Sequence, residues 1–505
     1  MIATRWPRRA APGAGSVEQR TERNGPRRMT LFAIALALAS VLGFSSTAQE
    51  FRALPHIDKI FAEYDRRDSP GCAVALYKDG KILYERGYGT ADLEHDVRIT
   101  PDTVFYAGSV SKQFTAFAAA LAIQKGYLAA DDSIRKYLPE LPAYADAITV
   151  RHLVHHTSGL RDFYTLLSIA GRRQDALFDN ADILRIAARQ KALNFAPGAD
   201  YLYSNTGYTL LAIVVGRASK MSFGAFADTH IFKPLGMTST HFGDDAARLV
   251  RKRAYGYTWG TKGEPRLDTP GGERVGAGGL FTTVRDLQRW DENFYTARLG
   301  GRALIDQLQT PGALDGGKPL SYAWGLQIGT YRGVPIVEHS GSLGGYRAHL
   351  LRFPAQHFSV AALCNVSSVV LAPLARHVAD VVLANRFTEP KPPASGGSPA
   401  ARGGQTAPAP VPATSDTASN LASVAEFAGV YVSDEIDAMF TITTEHGHVL
   451  IQRDEDNEPT VLQPSADAGF RFRNMTIRFL RSQSGAIDAL VVDAGRVRDI
   501  RFVRK

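Results

Sequence analysis

The sequence predicts an α/β (α+β) unit whose sheet is built from both ends of one long segment, followed by a small antiparallel β domain. Three observations carry this. GCAVALYKDGKILYERGYG, residues 71–89, reads as a β-hairpin around the Asp79-Gly80 turn signal, while YAWGLQIGTY, GVPIVEHSG, YRAHLLRFP and HFSVAALCNV read as consecutive strands some 240 residues later. The stretch between is dominated by helical patterns, so the two strand groups make one sheet only by meeting in space. After Arg386 the composition turns to Pro, Ala, Gly and Ser, and short alternating runs such as FTITTE, HVLIQRD and TIRFLR resume beyond Leu421. The implied layout is a leader at 1–48, a main domain at 49–386, a linker at 387–420 and a small β domain at 421–505.

The leader ends in Arg27-Arg28, the apolar run LFAIALALASVLGF and then Ser46-Thr47-Ala48. Fourteen apolar residues fall short of the ~20 needed to span a bilayer, and small residues follow at a spacing suited to signal peptidase. Export to the periplasm or medium after cleavage near Ala48 is the expectation, with no stable membrane span in the mature chain. Either Met1 or Met29 serves as initiator. The formal charge of +8 does not argue for a nucleic-acid partner, because seven arginines against two glutamates precede Gln49. Cys72 and Cys364 stand in strand-like apolar runs. They read as two buried thiols, with one disulfide between neighbouring strands as the alternative in an oxidising compartment.

Taken in order, the main domain begins with a helix over Phe51–Asp65 and then the hairpin. FYAGSVSKQFTAFAAALAIQKG, Phe105 to Gly126, reads as a helix with Ser109 as its cap, an apolar stripe through Phe114, Phe117 and Leu121, and Lys125-Gly126 as its stop. Ser109 and Lys112 then share a face, placing an amine beside a hydroxyl, and the amide at the helix start can hold an oxyanion. A second copy of the spacing, Ser133 to Lys136, lies in an amphipathic run and reads as structural. Downstream, Tyr203-Ser204-Asn205 follows a Pro-Gly turn. A tyrosine near two cations is expected to titrate below its usual range and serve as a base, with Asn205 orienting substrate or lysine. His339-Ser340-Gly341 ends a strand, where glycine admits a substrate backbone and the Ser342 amide supplies a second oxyanion donor. Adjacent His155 and His156 read as turn and capping residues, since no ligand-spaced acid or cysteine accompanies them. A closing helix follows the last strand.

No Gly-x-Ser-x-Gly elbow, His-Glu-x-x-His or Walker loop is present. Between about Phe51 and Arg386 the chain resembles the serine β-lactamase and penicillin-binding-protein-like hydrolases: class C β-lactamases, D-alanyl-D-alanine carboxypeptidases, D-aminopeptidases and related esterases. The resemblance rests on Ser109-x-x-Lys112, Tyr203-x-Asn205 and His339-x-Gly341 in that order, with ITVRHLVHHTSGL, YSNTGYTLLA, IFKPLGMTST and GAGGLFTTVRDLQRW. It implies a β-lactamase/transpeptidase-like antiparallel sheet with an all-helical lobe. It further implies Ser109 as acylated nucleophile, Lys112 as its proton partner, Tyr203 as base, Asn205 on the substrate amide, and the Ser109 and Ser342 amides as oxyanion hole. Which of Lys112 and Tyr203 takes the first proton stays open.

One departure bears on substrate. β-lactamases and most penicillin-binding proteins carry lysine where this chain has His339, a residue charged only near or below about pH 6.5. This leans toward a peptidase, amidase or esterase, and Arg347 is the candidate substitute for anchoring a substrate carboxylate. The expected function is an exported serine hydrolase acting on an amide or ester through an acyl-enzyme, without cofactor or metal, on a small-molecule or peptide substrate of cell-wall type. The other reading is a catalytically silent penicillin- or cell-wall-peptide-binding protein. The C-terminal domain resembles the lipocalin-like or β-barrel modules appended to D-aminopeptidase-like relatives. Its sequence names no ligand.

Overall fold

The computed structural model describes residues 54–172, 178–391, 424–465 and 469–505; the expected leader and most of the expected linker lie outside these. Six strands form the central antiparallel sheet: β1 Cys72–Lys78, β2 Lys81–Tyr88, β3 Gln327–Tyr331, β4 Val334–Leu343, β5 Tyr346–Phe353 and β6 Phe358–Cys364. Their order is β3-β4-β5-β6-β1-β2, so the first hairpin docks beside the last strand. Asp79 and Gly80 both adopt positive φ in the tight turn joining β1 to β2, as an Asp-Gly hairpin turn requires. Cys72 lies directly opposite Cys364 in the β1–β6 register and the two form a disulfide, which settles the choice between free thiols and a bridge. Every residue of β6 and all but the last of β1 are buried, because helices cover the sheet on both sides and only near-continuous apolar runs suit that position.

Five helices position the site: α1 Ser111–Gln124, α2 Phe163–Ile169, α3 Asn205–Ser219, α4 Val284–Thr296 and α5 Leu371–Val382. Helix α1 is buried from Ser111 through Ala122, with alanine at 116, 118, 119, 120 and 122. Small side chains on every face let neighbouring elements pack closely around it, and α3 is its main helical neighbour. The helix expected to begin at a Ser109 cap begins two residues later, and the stretch from Phe105 falls into three pieces. Phe105–Tyr106 is a strand paired with Leu280–Thr282, Gly108–Val110 is a 3-10 turn, and the α-helix starts only at Ser111. Gly108 at φ +52° and the Ala107 amide bonded to the Leu280 carbonyl interrupt the helical pattern there. The Ser109 hydroxyl therefore caps nothing and is left for chemistry.

Nine further strands make the C-terminal sheet: β7 Gly429–Ser433, β8 Ala438–Glu445, β9 His448–Arg453, β10 Thr460–Val461, β11 Gln463–Ser465, β12 Gly469–Phe472, β13 Met475–Arg481, β14 Ile487–Ala494 and β15 Val497–Arg504. Their order is β10-β9-β8-β7-β15-β14-β13-β12-β11. The two edge strands are separated in the chain only by Leu462, so the sheet curls into a barrel-like form. Alternating residues such as Phe440, Ile442, Leu490, Val492, Ile500 and Phe502 fill it. Leu166, Ile169 and Ala170, on and just after α2, join the same apolar cluster, so this helix lends part of the barrel its core. Next to this seam Arg161 meets Glu435 at 2.7 Å, with the two side chains 2% and 6% exposed. Burying such a pair is tolerable only when the remaining polar atoms are satisfied. Here Gln190, the Asp499 carbonyl and the Lys191 amide complete it.

Candidate active site

The turn into α1 carries Ser109, and one helical turn on, Lys112 is fully buried. Its Nζ lies 3.1 Å from Ser109 Oγ, 2.9 Å from Asn205 Oδ1 and 2.7 Å from the Ala277 carbonyl. The last two atoms are obligate acceptors. A neutral amine has two N–H groups and one lone pair, so donating to both acceptors leaves the lone pair for the serine hydroxyl. Burial holds the lysine well below its usual range, the nearby Arg496 charge pushes the same way, and Asp162 opposes them. Asn205 opens α3, just after Ser204, whose hydroxyl caps the helix on the Gly207 amide. Asp162 Oδ2 accepts from both the backbone and side-chain amides of Asn205 at 2.8 Å, fixing which way its carboxamide points.

Tyr203 packs against this group with the Lys112 ammonium position 4.7 Å from its ring centre. Its phenol departs from expectation. Burial pushes it well above its usual range, outweighing the opposing pull of the Ser109 hydroxyl and the Arg496 cation. Two cations do not depress a tyrosine whose phenolate would be buried. His156, read from the sequence as a turn and capping residue, does sit at positive φ and accepts the Ser204 amide on Nδ1 at 3.1 Å. It is also a wall of the site, with its ring centre 4.2 Å from that of Tyr203, 4.9 Å from Tyr208 and 4.7 Å from Tyr322.

Strand β4 closes the opposite side. β3 pairs with it only through Glu338, so among the described residues the edge of β4 beyond that residue carries no strand partner on that side. The Gly108 turn seats there, with a Cβ at Gly341 falling 2.0 Å from the Ala107 carbonyl oxygen. No side chain fits that contact, so glycine is what lets the strand edge and the amide of Ser342 reach the nucleophile turn. His339 lies within this strand, 3% exposed, with Nδ1 2.7 Å from the Ser340 carbonyl and Nε2 3.0 Å from the Tyr322 hydroxyl. The carbonyl can only accept, so Nδ1 carries the proton and Nε2 accepts from the tyrosine. Burial, reinforced by Lys112, lowers His339 to about 3, leaving the ring uncharged across the working range of pH. Arg347 stands apart, donating to the Gly344 and Tyr346 carbonyls of its own hairpin turn.

Three groups escaped the sequence reading. Asp162 stands two residues past ITVRHLVHHTSGL, where the adjacent histidines drew the reading, Tyr322 opens a run read only as a strand, and Arg496 occupies a hairpin turn of the C-terminal barrel that reads only as Ala-Gly-Arg. Its Cζ stands 4.9 Å from the Tyr203 ring centre and its Nη1 3.6 Å from Asp162 Oδ2. Among the described residues, a group able to ligate a metal, Asp92, Glu94 and His95, lies at a surface turn and supplies nothing to this site.

A buried lysine one turn from a serine, an asparagine and tyrosine from a second helix start, and an open glycine-bearing strand edge define the penicillin-binding-protein and serine β-lactamase class of fold. The chain belongs to the β-lactamase family, whose model matches residues 57–384. It is 30% identical over 324 residues to penicillin-binding protein 4* of Bacillus subtilis, covering 59% of this chain and 68% of that protein. It is 28% identical over 300 residues to a D-aminopeptidase of Gluconobacter oxydans, spanning 59% of this chain but only 56% of the relative's length. Among solved structures, the octameric penicillin-binding protein homologue from Pyrococcus abyssi matches with a TM-score of 0.58 at 22% identity, over 90% of this chain and 99% of that one. The D-amino acid amidase of Ochrobactrum anthropi gives 0.55 at 22% identity, over 66% and 98%. Both structural likenesses speak to fold alone. Among the described residues no single helix is long and apolar enough to cross a membrane.

Proposed function

We propose that the chain is an exported serine hydrolase that cleaves an amide or ester through an acyl-enzyme on Ser109. The observation that carries this reading is the three-way setting of Lys112, whose Nζ stands 3.1 Å from the Ser109 hydroxyl and within reach of two fixed acceptors, so that the amine form can donate to both acceptors and keep its lone pair for the serine. In the first step the Ser109 O–H proton passes to Lys112 while Oγ bonds to the substrate carbonyl carbon. The carbonyl π-pair becomes an oxyanion, held by the backbone amides of Ser109 and Ser342. Collapse expels the amine or alcohol, which takes back a proton relayed from Lys112 through the Tyr203 hydroxyl. Water then attacks the acyl carbon by the same route in reverse and frees the acid. Lysine rather than tyrosine takes the first proton, because burial disfavours the charged form of both and only for lysine is that form the protonated one.

Relatives named for penicillin binding and for D-aminopeptidase activity support a peptide-type carbonyl as target, with β-lactams and small esters as its chemical neighbours. The test is intact mass of the protein recovered from outside the cytoplasm, before and after a fluorophosphonate and, separately, a penicillin. A mature chain starting at Gln49 and a fluorophosphonate adduct absent in Ser109→Ala are expected. A folded protein that gains no mass from either reagent would return the chain to the class of silent binding proteins, and retention of the leader would sink export.

A further inference from the structure

The cation that the sheet lacks is supplied by the other domain. His339 is held neutral and Arg347 is engaged with its own turn, but the β14–β15 hairpin, turning through Gly495 and Arg496, brings a guanidinium against Tyr203. The placement is built. The Arg496 carbonyl accepts from Asn194 Nδ2 at 2.9 Å and the Arg498 amide donates to Asn194 Oδ1 at 2.8 Å, so one asparagine grips both sides of the turn. Arg161 donates to the Arg498 and Asp499 carbonyls at 3.1 and 3.0 Å. These contacts, with Arg498 reaching Asp200 at 3.5 Å, hold the hairpin mainly through its backbone and through residues other than Arg496.

The Arg496 side chain is 21% exposed and donates no hydrogen bond among the described residues. Asp162, its nearest acid, stands at 3.6 Å with Oδ2 already accepting twice from Asn205. An arginine carries five donors in a planar fork matched to a carboxylate. We propose that Arg496 is a specificity-determining residue that binds a carboxylate of the substrate, so that the C-terminal barrel completes the substrate site of the main domain. Its charge also raises the cost of a second cation nearby, which selects against substrates presenting an ammonium at the same place.

The proposal builds on the acyl-enzyme reading for what is cleaved, but the binding it describes is measurable without turnover. Full-length Ser109→Ala protein is titrated calorimetrically with N-acetyl-D-alanyl-D-alanine and with its C-terminal amide. The acid is expected to bind at least tenfold more tightly than the amide, and the preference to fall below threefold when Arg496→Gln is added. Arg496→Lys, which keeps the charge and loses the fork, is expected to fall between. Absence of binding by the acid, or a preference that survives Arg496→Gln in a protein with an unchanged melting curve, overturns it. Failure of the acyl-enzyme reading would show instead as unlabelled Ser109 in the intact sequence, whatever the calorimeter reports.

Discussion

Two copies of Ser-x-x-Lys stand in this chain 24 residues apart, and the structure treats them in opposite ways. Lys112 is wholly buried and held between a carboxamide and a carbonyl. Lys136 is 59% exposed and sits 3.1 Å from Asp132. Hydrogen bonding to that carboxylate pushes Lys136 above its usual value, whereas burial drives Lys112 down. Only the buried environment of Lys112 makes an amine able to accept a proton near neutral pH. The serines divide likewise: Ser133 caps a 3-10 turn by accepting the Arg135 amide, while Ser109 caps nothing. Spacing is common to both, and desolvation separates them.

Truncating the two lysines should break the symmetry most sharply. Lys112→Ala is expected to slow fluorophosphonate labelling of Ser109 by ~10²–10⁴, the usual contribution of a positioned base, while Lys136→Ala leaves the rate unchanged. Equal effects would mean the buried amine is structural only. A smaller effect concerns pH, since the desolvation that tunes Lys112 also holds histidines neutral. His339 is lowered to about 3 and His155 to about 4, in both cases chiefly by burial. Unfolded histidine, at about 6.5, takes up a proton that the folded state refuses. Stability is therefore fully present above pH 6.5 and is lost as pH falls toward 3–4, by up to about 1.4 kcal/mol per pH unit for each ring. Urea midpoints at pH 7.5, 6 and 5 measure it, and a flat profile would show that the rings protonate in place. The smallest effect belongs to the structural copy. Ser133→Ala removes a cap and should cost about 1 kcal/mol in chemical denaturation with labelling of Ser109 untouched; a slower labelling rate would mean that the two copies are coupled.

Much of the fold was legible because its signals are local. The Asp79-Gly80 turn, the four late strands and the alternation in the C-terminal runs each follow from backbone preference and side-chain period. The late start of the helix, beyond Ser109, was not, since the Ala107 amide is claimed by Leu280, far away in the chain. Within the site, Ser109, Lys112, Tyr203, Asn205 and His339 were named from motifs, and the structure brings them together. Arg347, the expected substitute for the missing lysine, instead gives its guanidinium to carbonyls within three residues of it.

By itself the sequence determined which side chains have the right chemistry and which stretches become strand or helix, because both are properties of residues and their near neighbours. The tertiary structure decided their charge. Lys112 is driven toward the amine, Tyr203 toward the phenol and His339 toward the neutral ring because packing removes water from each, and water removal depends on every element that closes over them. It also decided that the cation at Tyr203 comes from Arg496, for no pattern near Ser109 can announce a residue carried in by a hairpin of another sheet.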